Sequence, residues 1–248
     1  MFPRKRMTAA MSVFCFSFLT FMSVSPTDAQ VRTGNAGVQY LYQGGLPPGQ
    51  VGGLRTLQAP YGTPVDETFF QPVKILADDD TLVAPAADGQ FMPLMPAPQI
   101  FGLSVGKVYR FRVTGIRLYP GVEVFPTIEV VDRTHPPAGE ETKYPILIEL
   151  AYEDLVLAAQ GKYVTRVIYL EDPNTALPVV QTEEMGQGYY EVTPGSDPLA
   201  VADVLGRPVA ILRIGGRGPN IQEEMDMEFL YDCPPFLHYT PTMGNFRR

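Results

Sequence analysis

Lys107–Asp132, KVYRFRVTGIRLYPGVEVFPTIEVVD, is the stretch that decides the fold. Tyr109, Phe111 and Val113 alternate with Arg110, Arg112 and Thr114. After the corner Leu118-Tyr119-Pro120-Gly121, the residues Val122, Val124, Pro126, Ile128 and Val130 alternate with mostly polar partners. Successive side chains on a strand point to opposite faces, so a period of two predicts two consecutive half-buried strands around a turn. The polar positions then form an outward face. On it, and on later strands, Arg110, Arg112, Arg117, Arg166 and Arg213 are expected to pair with Glu123, Glu129 and Glu149 across the sheet, at about 0.2–1 kcal/mol per pair. The competing reading of these arginines is a cationic patch for acidic partners.

Working downstream, Tyr144–Leu150, Tyr163–Leu170, Val209–Ile214 and Glu224–Tyr231 repeat the strand pattern. Two segments change period. Tyr152–Gln160 carries Glu153 and Asp154 where a helix dipole favours negative charge, and Gly161 supplies a stop. Ser196 or Asp197 caps a second short helix with Pro198 in its first turn and Gly206 beyond its end. Upstream, Thr68–Ala77 predicts one extended segment, Pro85–Pro98 a proline-rich run over the surface or along a sheet edge, and Gln30–Pro64 a flexible lead rich in Gly and Pro. Tyr40, Tyr42 and Tyr61 are the residues by which that lead could dock. The fold expected is mainly β, an Ig-like or other β-sandwich with two short helices over residues 100–232. A Pro/Gly-rich flexible or loosely packed region over 30–99 precedes it, and a Pro-rich tail over 233–248 follows.

The first 29 residues have the form of an export signal. Arg4, Lys5 and Arg6 precede the uncharged apolar run Met7–Val24, and Thr27-Asp28-Ala29 offers small residues for cleavage before Gln30. The alternative is an uncleaved anchor. Cleavage would remove three positive charges and one negative, taking the formal charge from −8 to −10. A chain this acidic, without a basic cluster, is a poor partner for nucleic acid or an anionic membrane surface. Cys15 leaves with the signal, so Cys233 remains without an internal partner for a disulfide.

Four segments together, Gly106–Val113, Tyr119–Glu129, Tyr163–Pro173 and Ala210–Gly215, resemble a group of exported proteins of planctomycete-type bacteria to which no activity is assigned. The resemblance implies export, a shared β domain over roughly 106–216 and a place in the envelope of a Gram-negative-type cell. It carries over no functional residue.

Chemistry-bearing residues are scarce after residue 29: two serines (Ser104, Ser196), two histidines (His135, His238) and one cysteine. Gly102-Leu103-Ser104-Val105-Gly106 matches the G-x-S-x-G elbow of serine hydrolases, and Ser104, Asp203 and His238 follow in the right chain order. That motif requires a sharp turn from strand into helix, whereas a strand is expected after Ser104. Cys233 and His238 supply two zinc ligands where a structural site needs four. Asp78-Asp79-Asp80 lacks the alternate spacing, glycine and distal glutamate of an EF-hand loop and reads as a solvated turn, although acidic turns of this kind leave calcium open. Glu140/Glu141, Glu183/Glu184 and Glu223/Glu224 are carboxylate pairs of the type a glycosidase uses, but there is no Trp to form a sugar platform, although thirteen tyrosines could substitute.

The functional expectation is an exported non-enzymatic β-sandwich module that binds or scaffolds at the cell envelope, with an envelope protein or polysaccharide as partner and with no cofactor, metal or catalytic residue. The alternative is an exported hydrolase working through Ser104 or a carboxylate pair. Binding residues are expected in the loops after Asp132 and Asp172 rather than on the strand faces.

Overall fold

The computed structural model describes residues 47–57, 68–172, 191–193, 196–220 and 226–239. The expected export signal, Tyr40, Tyr42, Tyr61, Glu183/Glu184 and Glu223/Glu224 lie outside them. The elements in chain order begin with α1 (Gln50–Leu57), β1 (Phe70–Leu76), β2 (Leu82–Ala87), β3 (Gln90–Phe91), β4 (Met95–Pro96) and β5 (Gln99–Ser104). They continue with β6 (Val108–Thr114), β7 (Thr127–Val130), β8 (Ile146–Glu149), α2 (Tyr152–Ala159) and β9 (Val164–Glu171). Last come α3 (Pro198–Leu205), β10 (Gly206–Ile214), α4 (Met227–Leu230) and β11 (Phe236–Tyr239).

The strands form two sheets. One has the order β11-β5-β1-β8; the other runs β3-β2-β6-β7-β10-β9, with β4 also on β2. The decisive stretch is the antiparallel pair β6–β7, with Tyr109 opposite Ile128 and a further bridge between Val113 and Val124 nearer the corner. Tyr109, Phe111, Val113, Ile128 and Val130 meet Val73, Ile75, Phe101 and Leu103 of the other sheet in one buried core. The fold is therefore mainly β, two sheets face to face with a few short helices. The β1–β8 pair is parallel, so this is a sandwich other than the all-antiparallel Ig arrangement.

Several expectations need correction. β1 and β2 are members of the two sheets, so the folded part reaches back at least to Phe70 and does not begin at residue 100. Within the lead, Gln50–Leu57 is helical and Val51 is buried against Val131, Leu199 and Ile211. Met227–Leu230, expected as part of a strand, is a turn of helix capped by the Asp226 side chain, which accepts from the Phe229 N–H. β11 lies in what was read as a tail and pairs with β5. The two expected helices appear as α2 and α3, the latter capped by Asp197 with Pro198 in its first turn.

Much of the outward face of the larger sheet is covered. α1 and α3 cover β7 and β10, and α4 covers β2 and β6. Polar residues on that face are consequently buried and must find partners. Glu129, fully buried, accepts from Arg213 Nη1 at 2.7 Å and from the Gly52 N–H of α1 at 2.9 Å. This carboxylate neutralises a buried guanidinium and satisfies one of the amides that a helix N-terminus leaves open. Arg110 is held differently. Its Nε donates to Phe229 O and its Nη1 to Phe125 O, while the guanidinium lies over the rings of Phe229 and Tyr231. Burial, opposed in part by Tyr231, holds its pKa below the ordinary arginine value.

Of the expected cross-strand pairs, Arg112–Glu123 and Arg213–Glu129 form. Arg166 pairs with Asp154 of α2, and Arg117 lies over the Tyr152 ring. The expectation of one solvated ladder is thus replaced by several local solutions, each dictated by what covers that part of the sheet.

Candidate functional site

Among the described residues, those singled out for catalysis are not brought together. Ser104 ends β5, and a tight turn leads directly into β6, so the strand-to-helix context of a nucleophile elbow is missing. Its N–H donates to the Tyr109 hydroxyl, which donates in turn to Pro235 O; burial holds the Tyr109 pKa above its ordinary value. His238 lies opposite Phe101, three residues back along β5. It stacks on that ring with centroids 5.2 Å apart, and its Nε2 is 2.9 Å from Gln99 Oε1. Asp203 is in α3, which packs on β9 and β10, and His135 is exposed in the loop after β7. Glu140 pairs locally with Lys143, and the Glu141 carboxylate accepts from the Gly139 N–H, which lowers its pKa. Asp78-Asp79-Asp80 forms the exposed turn before β2, and among the described residues no group of three His, Cys, Asp or Glu side chains is placed to hold a metal ion.

A concave feature lies along β9. Residues of β9 alternate between two environments. Ile168 packs into the core between the sheets, while Val167 joins the cluster under α3. α2 closes the end of the sandwich on the first side through Leu155 and Ala158, and α3 lies on the second. Between these two helices β9 is, among the described residues, the last strand of its sheet, with β10 as its neighbour. A groove of about 680 Å³ runs past it, from Ile148 and Asp154 on the α2 side to Thr193 and Leu205 on the α3 side.

The groove is acidic. Glu149, Asp154, Glu171 and Glu191 line it against one guanidinium, Arg166. Asp154 is 2% exposed and Arg166 grips it with both Nε and Nη2, at 2.8 and 2.7 Å. This two-point contact fixes the guanidinium plane against α2 and uses up its charge locally. Tyr163, 67% exposed, stands at the entrance to β9. The Tyr169 hydroxyl is held above its ordinary range by partial burial and then by the neighbouring Glu171 carboxylate.

The backbone adds a second element. The Asp172 N–H donates to Leu205 O on the β10 side. Because N–H and C=O directions alternate along a strand, those of Thr165, Val167 and Tyr169 point away from β10 toward the groove. The lining of the groove thus joins apolar walls to the carboxylates of Glu171 and Glu191.

Sequence reasoning did identify β9 as an alternating strand; of the two loops where binding residues were expected, the one after Asp132 does not line the groove, and residues 173–190 of the one after Asp172 lie outside the described residues. It missed Asp154, Arg166 and Glu191. Asp154 was read as a favourable charge in the first turn of a helix, and nothing in its spacing from Arg166 says that α2 folds back onto β9. No protein-family model, curated protein or solved structure matches this chain.

Proposed function

We propose that the protein is an exported, non-enzymatic β-sandwich module that holds a partner at the cell envelope in the groove along β9. The observation that carries binding is a groove of about 680 Å³ that combines apolar walls with the carboxylates of Glu171 and Glu191 and the exposed ring of Tyr163. Export is supported by the basic, apolar and small-residue pattern of the first 29 residues, and by the resemblance to exported proteins of planctomycete-type bacteria.

A photo-reactive residue replacing Tyr163, at the groove, should give adducts in the envelope fraction on a chain whose mass places its N-terminus near Gln30. The same residue replacing Leu118, 81% exposed at the β6–β7 corner, should give none. Equal adducts at both positions would remove the groove as the binding surface. A full-length chain confined to the cytoplasm would remove export.

A further inference from the structure

We infer that β11 is an exchangeable strand, and that a second copy of this chain accepts it on β5 in a domain-swapped dimer. The inference stands apart from the groove along β9 and rests on the short link between α4 and β11.

Tyr231, Asp232 and Cys233 have φ of +55°, +56° and +46°. L side chains resist this left-handed region, and residues other than glycine that visit it do so singly. Here three such residues follow one another with no glycine among them. Cys233 is opposed twice, because Pro234 comes next and a residue before proline favours extended backbone. An extended link would relieve all three positions.

Both ends of the link are anchored, so the strain persists while β11 stays on its own β5. α4 is buried through Phe229 and Leu230 against the larger sheet, and Phe229 O accepts from Arg110 Nε. β11 belongs to the smaller sheet, with Phe236 opposite Leu103 and Tyr239 opposite Ile100. Pro235 O accepts from the Tyr109 hydroxyl, and His238 stacks on Phe101. If the link straightens, β11 is carried off its own β5. The β5 of a second copy offers the identical register, and that copy's β11 fills the vacated edge in return. Every contact of β11 is then remade between chains, and the two relaxed links oppose the entropy cost of association. Short hinges under strain favour such an exchange.

The test uses the purified full chain in sedimentation equilibrium, where a concentration-dependent dimer is expected. Asp232 is exposed, so substitutions there act through the backbone. Asp232→Gly, which tolerates the left-handed link, should raise the dimer dissociation constant about tenfold, roughly threefold from each of two links. Asp232→Pro cannot adopt φ +56° and should lower that constant at least about tenfold. Exchange itself is read by mixing two chains, one with Ile100→Cys and the other with Tyr239→Cys, both with Cys15 and Cys233 replaced by Ser. Opposed strand residues lie within disulfide reach. On oxidation, a cross-link between the two kinds of chain should dominate over links between like chains. A statistical mixture of cross-links, a dimer indifferent to Asp232→Gly, or a folded Asp232→Pro chain that stays monomeric would each overturn the inference. Should Asp232→Pro fail to fold, the glycine variant and the mixed chains decide.

Discussion

Glu129→Ala is expected to lower the stability of the fold by about 3–5 kcal/mol, seen as a fall in the urea midpoint at unchanged slope. The substitution leaves Arg213, 9% exposed at its side chain, without its carboxylate, and it leaves the Gly52 N–H facing a buried void. Neither group has water to fall back on, so each loss is felt in full. The paired replacement Glu129→Met with Arg213→Leu should recover most of the loss, because removing both charges also removes the cost of burying them. Recovery would show that the carboxylate is needed because the guanidinium is there. The amide of Gly52 should also exchange faster in Glu129→Ala, since that carboxylate is its acceptor. An unchanged midpoint in the single variant would mean that the pair is solvated and that α1 does not cover it.

Gly115→Ala is expected to cost about 2–4 kcal/mol, the sum of a backbone clash and a left-handed conformation that an L side chain resists. Gly115 has φ +77°, and a Cβ there would overlap the carbonyl oxygen of Asp80. The acidic turn Asp78-Asp79-Asp80 and the corner after β6 are thus packed backbone to backbone, with no room for either to yield. Gly121, at φ +76° in the same corner, has nothing within 4 Å of the corresponding position. Gly121→Ala should therefore show only the conformational part, about 1 kcal/mol. The difference between the two variants isolates the clash, and equal losses would contradict the close approach.

Much of the sandwich was legible because its inner face is apolar and its period is two. Tyr109, Phe111, Val113, Ile128 and Val130 are buried as their alternation with polar residues requires. The same alternation misled on the other face, because polarity was equated with exposure. Glu129 and Arg110 alternate as solvent-facing residues would, yet α1 and α4 lie on top of them. Those helices were hidden for definite reasons. α1 contains Gly52 and Gly53, poor helix formers, and its Gly52 lies where a Cβ would stand 2.9 Å from Gly106 Cα and Val130 O. Gly52 therefore serves docking, although in sequence it resembles a linker residue, whereas a Cβ at Gly53 would meet nothing within 4 Å. α4 is four residues long and its Met-Glu-Phe-Leu also satisfies a strand pattern. The groove was legible only in part, since it is formed where α2, β9 and α3 come together, and those contacts are distant in sequence.

The central claim is that a partner is held in the groove along β9, and photo-crosslinking from position 163 in the envelope fraction tests it most directly. Adducts from position 163 and none from Leu118, exposed at the β6–β7 corner, are the predicted result; equal adducts from both positions would contradict the claim.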